Sequence, residues 1–181
     1  MSYEIRAVRA DEWEQVRDLR LQALQDPAAP IAYLETYEAA KARPDQFWQD
    51  RAAGNSHGRD GRQFVAVDEH GCWVGATVSI IEHAGREDFF GVVMPVTGAH
   101  FVGVYVDPEH RGSGLVQRLF EAAAEWSWSV EGVERARLFV HQDNHRAQAA
   151  YKKIGFERSG GVVPLEADPS KLEYEMVLSK P

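Results

Sequence analysis

Apolar and polar positions alternate in "YEIRAVRA" near the start of the chain, which predicts a first strand. The period then lengthens. Trp13, Val16, Leu19, Arg20 and Leu24 recur at three- and four-residue spacing, predicting a helix with Asp11 as its cap. Pro27 and Pro30 interrupt that pattern, and a shorter helix is expected from Pro44 to Ala53, with Pro44 in its first turn and Phe47, Trp48 and Arg51 along it. "GNSHGRDGR" reads as a flexible loop. In "QFVAVDEHGCWVGATVSIIE" two apolar runs flank Asp68-Glu69-His70-Gly71, the pattern of a hairpin. Residues 83–98 read as a loop or an interrupted strand extension, because Gly91 and Pro95 break any regular element. "AHFVGVYVDPE" is a strand stopped by Asp107-Pro108, and a helix follows to about Val130. "RARLFVHQ" is a further strand and "NHRAQAAYKKIG" a helix ended by Gly155, with "FERSGGV" and "EYEMVLSK" as closing strands. The order β-α-α-β-β-β-α-β-α-β-β predicts an α/β (α+β) domain with a mixed sheet of about six to seven strands and helices on both faces. With no repeat or linker, residues 1–181 read as one domain.

Composition narrows the function classes. Hydrophobic residues make up 44% and charged residues 27%, ordinary for a globular chain. A net charge of -8 argues against nucleic acid as a partner, since phosphate neutralisation needs a basic face. It is compatible with a cationic partner such as a polyamine, an aminoglycoside or a lysine-bearing peptide. The single cysteine, Cys72, forms no intrachain disulfide and is expected to be a buried structural thiol. No apolar run reaches the ~20 residues that span a bilayer, and charges begin at Glu4, so no membrane association and a cytoplasmic location are expected.

The chemistry concentrates where the fourth strand hands over to a helix, in "HRGSGLV". Helix N-termini leave backbone N–H groups unpaired at the positive end of the dipole and bind anions. Gly112 and Gly114 let backbone amides approach an anion at positive φ, Arg111 adds a charge, and Ser113 adds a hydroxyl. No Lys-Ser/Thr follows Gly114, which excludes a Walker-type loop, and Gln117 stands where a dinucleotide fingerprint needs Gly or Ala. A turn that binds nothing is the competing reading. However, "VYVDPEHRGSGLVQRLFEAAAEW" resembles the acyl-coenzyme A signature of the GNAT superfamily of N-acyltransferases, with Arg111, Gly112 and Gly114 in its Arg-Gly-x-Gly form. Val116 departs from the Gly or Ala usual at its position.

A second stretch, "LFVHQDNHRAQAAYKKIGFERSG", resembles the family's other signature through Asn144, Ala147, Tyr151, Gly155 and Phe156 in order. Taken singly, Asn144 also reads as only a helix N-cap and Tyr151 as a half-buried aromatic. Lys152 and Lys153 read as surface charges, and Trp126 and Trp128 as core or rim aromatics. His141 and His145 lack the carboxylate or cysteine that would complete a metal site, so no metal is expected.

The resemblance implies a mostly antiparallel sheet that splays between its fourth and fifth strands, here Phe101–Val106 and Arg137–His141. The pantetheine arm of acetyl-CoA would fill the gap along Val104, Tyr105 and Val106. The pyrophosphate would rest on Arg111, Gly112, Ser113, Gly114, Leu115, Val116 and Gln117, with Asn144, Ala147 and Tyr151 opposite. It further implies direct transfer of an acetyl group to a primary amine of a small molecule or peptide, with a backbone N–H near Val104 as oxyanion donor and Tyr151 as general acid. Many members carry Glu six residues before the position of Val106. This chain has His100 there, either a base or a strand-end residue, with Glu82 and His83 in reserve. A catalytically silent acyl-CoA-binding module is the alternative. The acceptor is expected to be set by the first helices and by residues 27–43 and 84–98. A homodimer pairing through "EYEMVLSK" is also expected.

Overall fold

The computed structural model describes residues 2–181. Strand β2 (Gly61–Asp68) shows how its layers arise. Successive strand side chains point to opposite faces, so Phe64 and Ala66 enter one core while Val65 and Val67 enter another. The first core packs the sheet against α5 (Leu115–Trp128) and α6 (His145–Ile154), around Phe101, Leu119, Phe120, Leu138 and Phe156. The second packs it against α1 (Trp13–Ala23) and α4 (Asp45–His57), around Val16, Leu24 and Trp48. Helices therefore cover both faces, as the element order predicted.

The sheet has seven strands in the order β1-β2-β3-β4-β5-β7-β6, with β1 at Tyr3–Ala7, β3 at Trp73–Glu82, β4 at Gly98–Val106, β5 at Arg135–His141, β6 at Glu157–Pro164 and β7 at Leu172–Ser179. Every pairing is antiparallel except β4 with β5, which is parallel. That parallel pair joins only Ala99 to Ala136 and His100 to Arg137. Beyond those residues the two strands part. On the other side of β4, Val102 faces Val78 and Tyr105 faces Ala76, so Gly103 and Val104 together oppose Thr77. Gly103 takes φ +62° in this bulge, which bends the strand at the point of parting.

A buried ionic cluster clamps the closed end of the gap. Arg137 donates to both Glu82 oxygens at 2.8 and 3.0 Å, to Asp88 at 2.7 Å and to Glu175 at 3.0 Å. His100 Nδ1 donates to Glu82 Oε1 at 2.9 Å. Burial raises the Glu82 carboxyl, but the His100 and Arg137 hydrogen bonds outweigh it and hold Glu82 below the usual carboxylate range.

Several expectations are corrected. Two short helices, α2 (Ala29–Ala32) and α3 (Tyr37–Lys41), fill the proline-interrupted stretch. The N-cap position of α1 is Glu12 rather than Asp11, without a side-chain capping bond; the Glu12 carboxylate instead accepts from Arg6 at 2.9 and 2.6 Å and from the Arg9 N–H at 2.8 Å. The α4 helix continues through Gly54 to His57, absorbing half of the expected loop, with Pro44 as N-cap. Cys72 is exposed, not buried. It sits in the hairpin turn, where its N–H and that of His70 donate to Asp68 Oδ1 at 2.8 and 2.9 Å. The terminal strand β7 is interior, between β5 and β6, so the free edges are β1 and β6. Residues 83–98 form a loop up to Thr97 with one antiparallel bridge, Glu87 to Val93.

The clamp generates a prediction. Glu82→Ala leaves His100 without that acceptor and removes two of the Arg137 contacts, and it should cost about 3 kcal/mol in urea unfolding at pH 7. The folded Glu82 pKa lies below its unfolded value, about 4.3, so its contribution is complete above that pH and is lost as pH falls through the folded value. The wild-type protein should therefore lose stability below about pH 4.3 more steeply than the variant. A loss under about 1 kcal/mol would show that the clamp contributes little.

Candidate functional site

The parting of β4 and β5 opens a cavity of about 420 Å³. Its walls are the facing segments of the two strands, with the start of α5, the inner face of α6 and the Asp26–Tyr33 stretch closing around them. At its mouth, Gly112 and Gly114 take φ +78° and +80°, and a Cβ at either would meet nothing within 4 Å. The space beside both backbones is open, as an anion cradle requires. Leu115, Val116 and Gln117 follow as the first turn of α5, with N–H groups that have no partner within the helix. Val116 is half-buried and packs against the core while lining the cavity.

Two polar side chains of this loop organise it. Arg111 donates from Nε to the Val106 carbonyl at 2.9 Å and from Nη2 to Asp26. Burial would raise Asp26, but the Ala28 N–H and Arg111 hold it below the usual carboxylate range. Ser113 donates to the His110 carbonyl at 2.6 Å and does not line the cavity. The hydroxyl expected at the cradle is thus turned into the loop itself.

Val104, Tyr105, Val106, Asn144, Ala147 and Tyr151 all line the cavity. Asn144 is the α6 N-cap, its Oδ1 accepting from the Ala147 N–H at 3.2 Å. Gly155 ends that helix at φ +111°. Burial pushes the Tyr151 hydroxyl up to about 12, so it is protonated throughout neutral pH. Its ring lies 5.4 Å from Phe120 and 6.3 Å from Phe156.

His100 is not in the lining. It is buried beneath the aromatic ring of Phe139, 5.4 Å between centroids, with Nδ1 on Glu82. The exposed strand-end alternative for His100 is therefore excluded. Glu82 is locked in the clamp, and His83 bonds Asp60 at 2.8 Å on the surface, so neither reserve base reaches the cavity. Among the described residues no group of three or more His, Cys, Asp or Glu is placed to hold a metal ion. Likewise, no helix among them is long and apolar enough to cross a membrane.

Three cavity residues had no sequence signal that singled them out. Tyr33 donates from its hydroxyl to the Val104 carbonyl at 2.7 Å, anchoring the bulged strand. Arg20 lies 4.6 Å over the Tyr33 ring and is itself held by Glu35 at 3.1 Å. Asp26 and Glu173 are the other two, and they are the cavity's two carboxylates. The Asp26-Pro27 turn was the available signal for the first. The second lies in a strand whose alternation marks every polar residue alike.

The fold is shared with proteins of known structure. The fold superposes on Arabidopsis thaliana NAA60 in complex with acetyl-CoA with TM-score 0.70 at 16% identity, over 98% of each chain. The PaiA N-acetyltransferase of Thermoplasma acidophilum, in complex with coenzyme A, gives TM-score 0.71 at 17% identity, over 99% of this chain and 100% of that one. In sequence, 82 residues are 32% identical to a Bacillus subtilis (strain 168) protein carrying the provisional name of a ribosomal protein bS18-alanine N-acetyltransferase, covering 45% of this chain. A further 57-residue match, 30% identical and covering 32% of this chain, is to spermidine N(1)-acetyltransferase of Escherichia coli (strain K12). The matches span only 54% and 31% of those two relatives' lengths. Residues 13–156 match the model of the Acetyltransferase (GNAT) family, and the chain belongs to that family.

Proposed function

We propose that the protein is an N-acetyltransferase that moves the acetyl group of acetyl-CoA directly to a primary amine. The observation that carries this reading is a single continuous cavity that joins the glycine cradle, the unpaired edge of β4 and the Tyr151 hydroxyl. Bound acetyl-CoA supplies an activated thioester. The first-turn amides of α5 hold its pyrophosphate, and the pantetheine amides run along β4 at Val104, Tyr105 and Val106, on the side from which β5 has parted. A strand N–H near Val104 stabilises the carbonyl oxygen as negative charge develops there. The sulfur departs with a thiol pKa near ~8.5, by analogy with cysteine, and a neutral tyrosine is a competent proton donor to it. Tyr151 fills that role, because burial keeps its proton in place at neutral pH.

The acceptor is an amine that carries positive charge at neutral pH. The net charge of -8 and the names of the relatives, spermidine and a protein alanine among their acceptors, both support this. A homodimer also belongs to the reading, now through the free β6 edge rather than β7. Light scattering should give about twice the 20.3 kDa of one chain, and the single-chain mass over a wide concentration range would reject it.

Acetyl-CoA should raise the melting temperature by mass action. Gly114→Glu places a side chain and a negative charge in the cradle at a backbone of φ +80°, and should abolish that shift. A full shift in the variant would place the pyrophosphate elsewhere.

Tyr151→Phe keeps the ring packing and removes one hydroxyl. Acetyl-CoA binding should survive while kcat for thiol release falls by roughly 10²–10⁴. Near-wild-type kcat would remove Tyr151 as the general acid, and lost acetyl-CoA binding would make it a cofactor-packing residue. Thiol release also separates this reading from a silent acyl-CoA-binding module, which binds acetyl-CoA without turnover.

A further inference from the structure

Strand β7 alternates between two environments. Met176 is buried in the core on the α5 and α6 side, and Tyr174 and Leu178 pack against that core. Glu173 and Glu175 therefore project from the opposite face. Glu175 is held by Arg137 at 3.0 Å. Glu173, paired in register with His141 of β5, enters the cavity lining instead. The gap between β4 and β5 is thus reached from both faces of the sheet, by Tyr151 from the α6 side and by Glu173 from the other.

The cavity's two carboxylates differ in state. Asp26 is neutralised by Arg111 and by the Ala28 N–H at 2.8 Å. Glu173 is half-buried, and among the described residues no side chain or backbone donor engages its carboxylate. A half-buried carboxylate without a protein donor is left to solvent or a ligand for its hydrogen bonds. Burial raises the Glu173 carboxyl above the usual range, with the His100 charge pulling it partly back. A raised carboxyl is a better proton acceptor at neutral pH than an ordinary one. His100 of β4 acts on it electrostatically, His141 of β5 is paired with it in register, and Tyr33, Tyr151, Arg146 and Lys153 share the cavity lining. His141 Nδ1 accepts from the Asp143 N–H at 3.1 Å.

We propose that Glu173 is the general base of this site, receiving the acceptor's ammonium group from the sheet face opposite α6 and taking its proton. This rests on the transferase reading above and replaces His100 as the group that touches the substrate, leaving His100 behind it as a positioning residue. Protons balance as follows. The ammonium gives one proton to Glu173, which passes it to solvent, and the freed nitrogen forms the C–N bond. The C–S bond then breaks, Tyr151 protonates the sulfur, and the nitrogen loses its second proton to water. Solvent restores the tyrosine. The net change is ammonium plus thioester to amide, thiol and one released proton.

The test measures thiol release from acetyl-CoA with spermidine, an alanine-initiated tetrapeptide and 4-chloroaniline, whose nitrogen is unprotonated at neutral pH. With spermidine or the peptide, Glu173→Gln should lower kcat by about 10²–10³ and abolish the acidic limb of the kcat/KM profile. With the arylamine the loss should be less than about tenfold, because no ammonium proton has to be removed before attack. The acetyl-CoA melting shift should be unchanged, which separates this outcome from misfolding or a lost cofactor site. Glu173→Asp should restore part of the rate. An acidic limb that persists in Glu173→Gln would assign it to His100 or His141 and overturn the proposal, as would an equal loss with all amines or turnover confined to the arylamine. If wild-type protein binds acetyl-CoA yet releases no thiol with any amine, the transferase reading falls and the base assignment falls with it. Undiminished release by Glu173→Gln alone overturns only the base assignment.

Discussion

Two neighbouring parallel strands that stop pairing leave a row of backbone N–H and C=O groups facing a gap, and such groups cost about 1–3 kcal/mol each if buried without partners. In this protein β4 and β5 pair at two residues and then separate. The separation is enforced rather than loose. At the closed end, Arg137 and His100 converge on Glu82 from two different strands. At the opening, the Gly103 bulge turns β4 away and Tyr33 holds the Val104 carbonyl. The β4 edge beside the gap is therefore held in a fixed shape, which in the proposed function serves as a template for an extended, amide-bearing ligand.

The same constraint explains where the loop residues point. Arg111 bonds the last carbonyl of β4 and bridges to Asp26, so the cradle is tied both to the strand that bends and to the segment before α2. The proposed anion site then depends on backbone amides and the dipole of α5 rather than on a free arginine. Its affinity should come from geometry that is in place before binding, the arrangement that costs least in ordering.

What could be read from the chain follows from the range of the interactions involved. Gly112, Gly114, Asn144 and Gly155 act through their own backbone or that of a residue three away, and all four were legible as punctuation of helices. The seven-strand sheet followed from periodicity. Errors arose where a distant or competing partner decides the outcome. The helix α1 begins after Glu12 rather than Asp11, and the Glu12 carboxylate turns to Arg6, on β1, instead of capping. Cys72 belongs to a run that looks apolar, yet Asp68 draws its N–H into the turn. The Pro-interrupted stretch carried no period, so nothing marked Tyr33, whose partner lies 71 positions away in the sequence. His100 could be placed at the start of the fourth strand, but its burial depends on Glu82 and Phe139, each from another strand.

Burial acts in the same direction on the two titratable groups that reach the gap from opposite faces. It raises Tyr151, which keeps a proton that an ordinary base at neutral pH cannot remove, and it raises Glu173, which gives a carboxylate greater proton affinity. One is thereby suited to donate and the other to accept, without any direct hydrogen bond between them. A polar contact between the pair would oppose this, since a carboxylate hydrogen-bonded to the tyrosine would be drawn down and the phenol occupied. In the proposed reaction, separating them across the thickness of a parted sheet keeps each available to a different bond, the forming C–N bond on one side and the breaking C–S bond on the other. In the proposed reaction the splay between β4 and β5 arranges the acid and base as well as opening the gap, and both follow from the pairing that ends after His100 and Arg137.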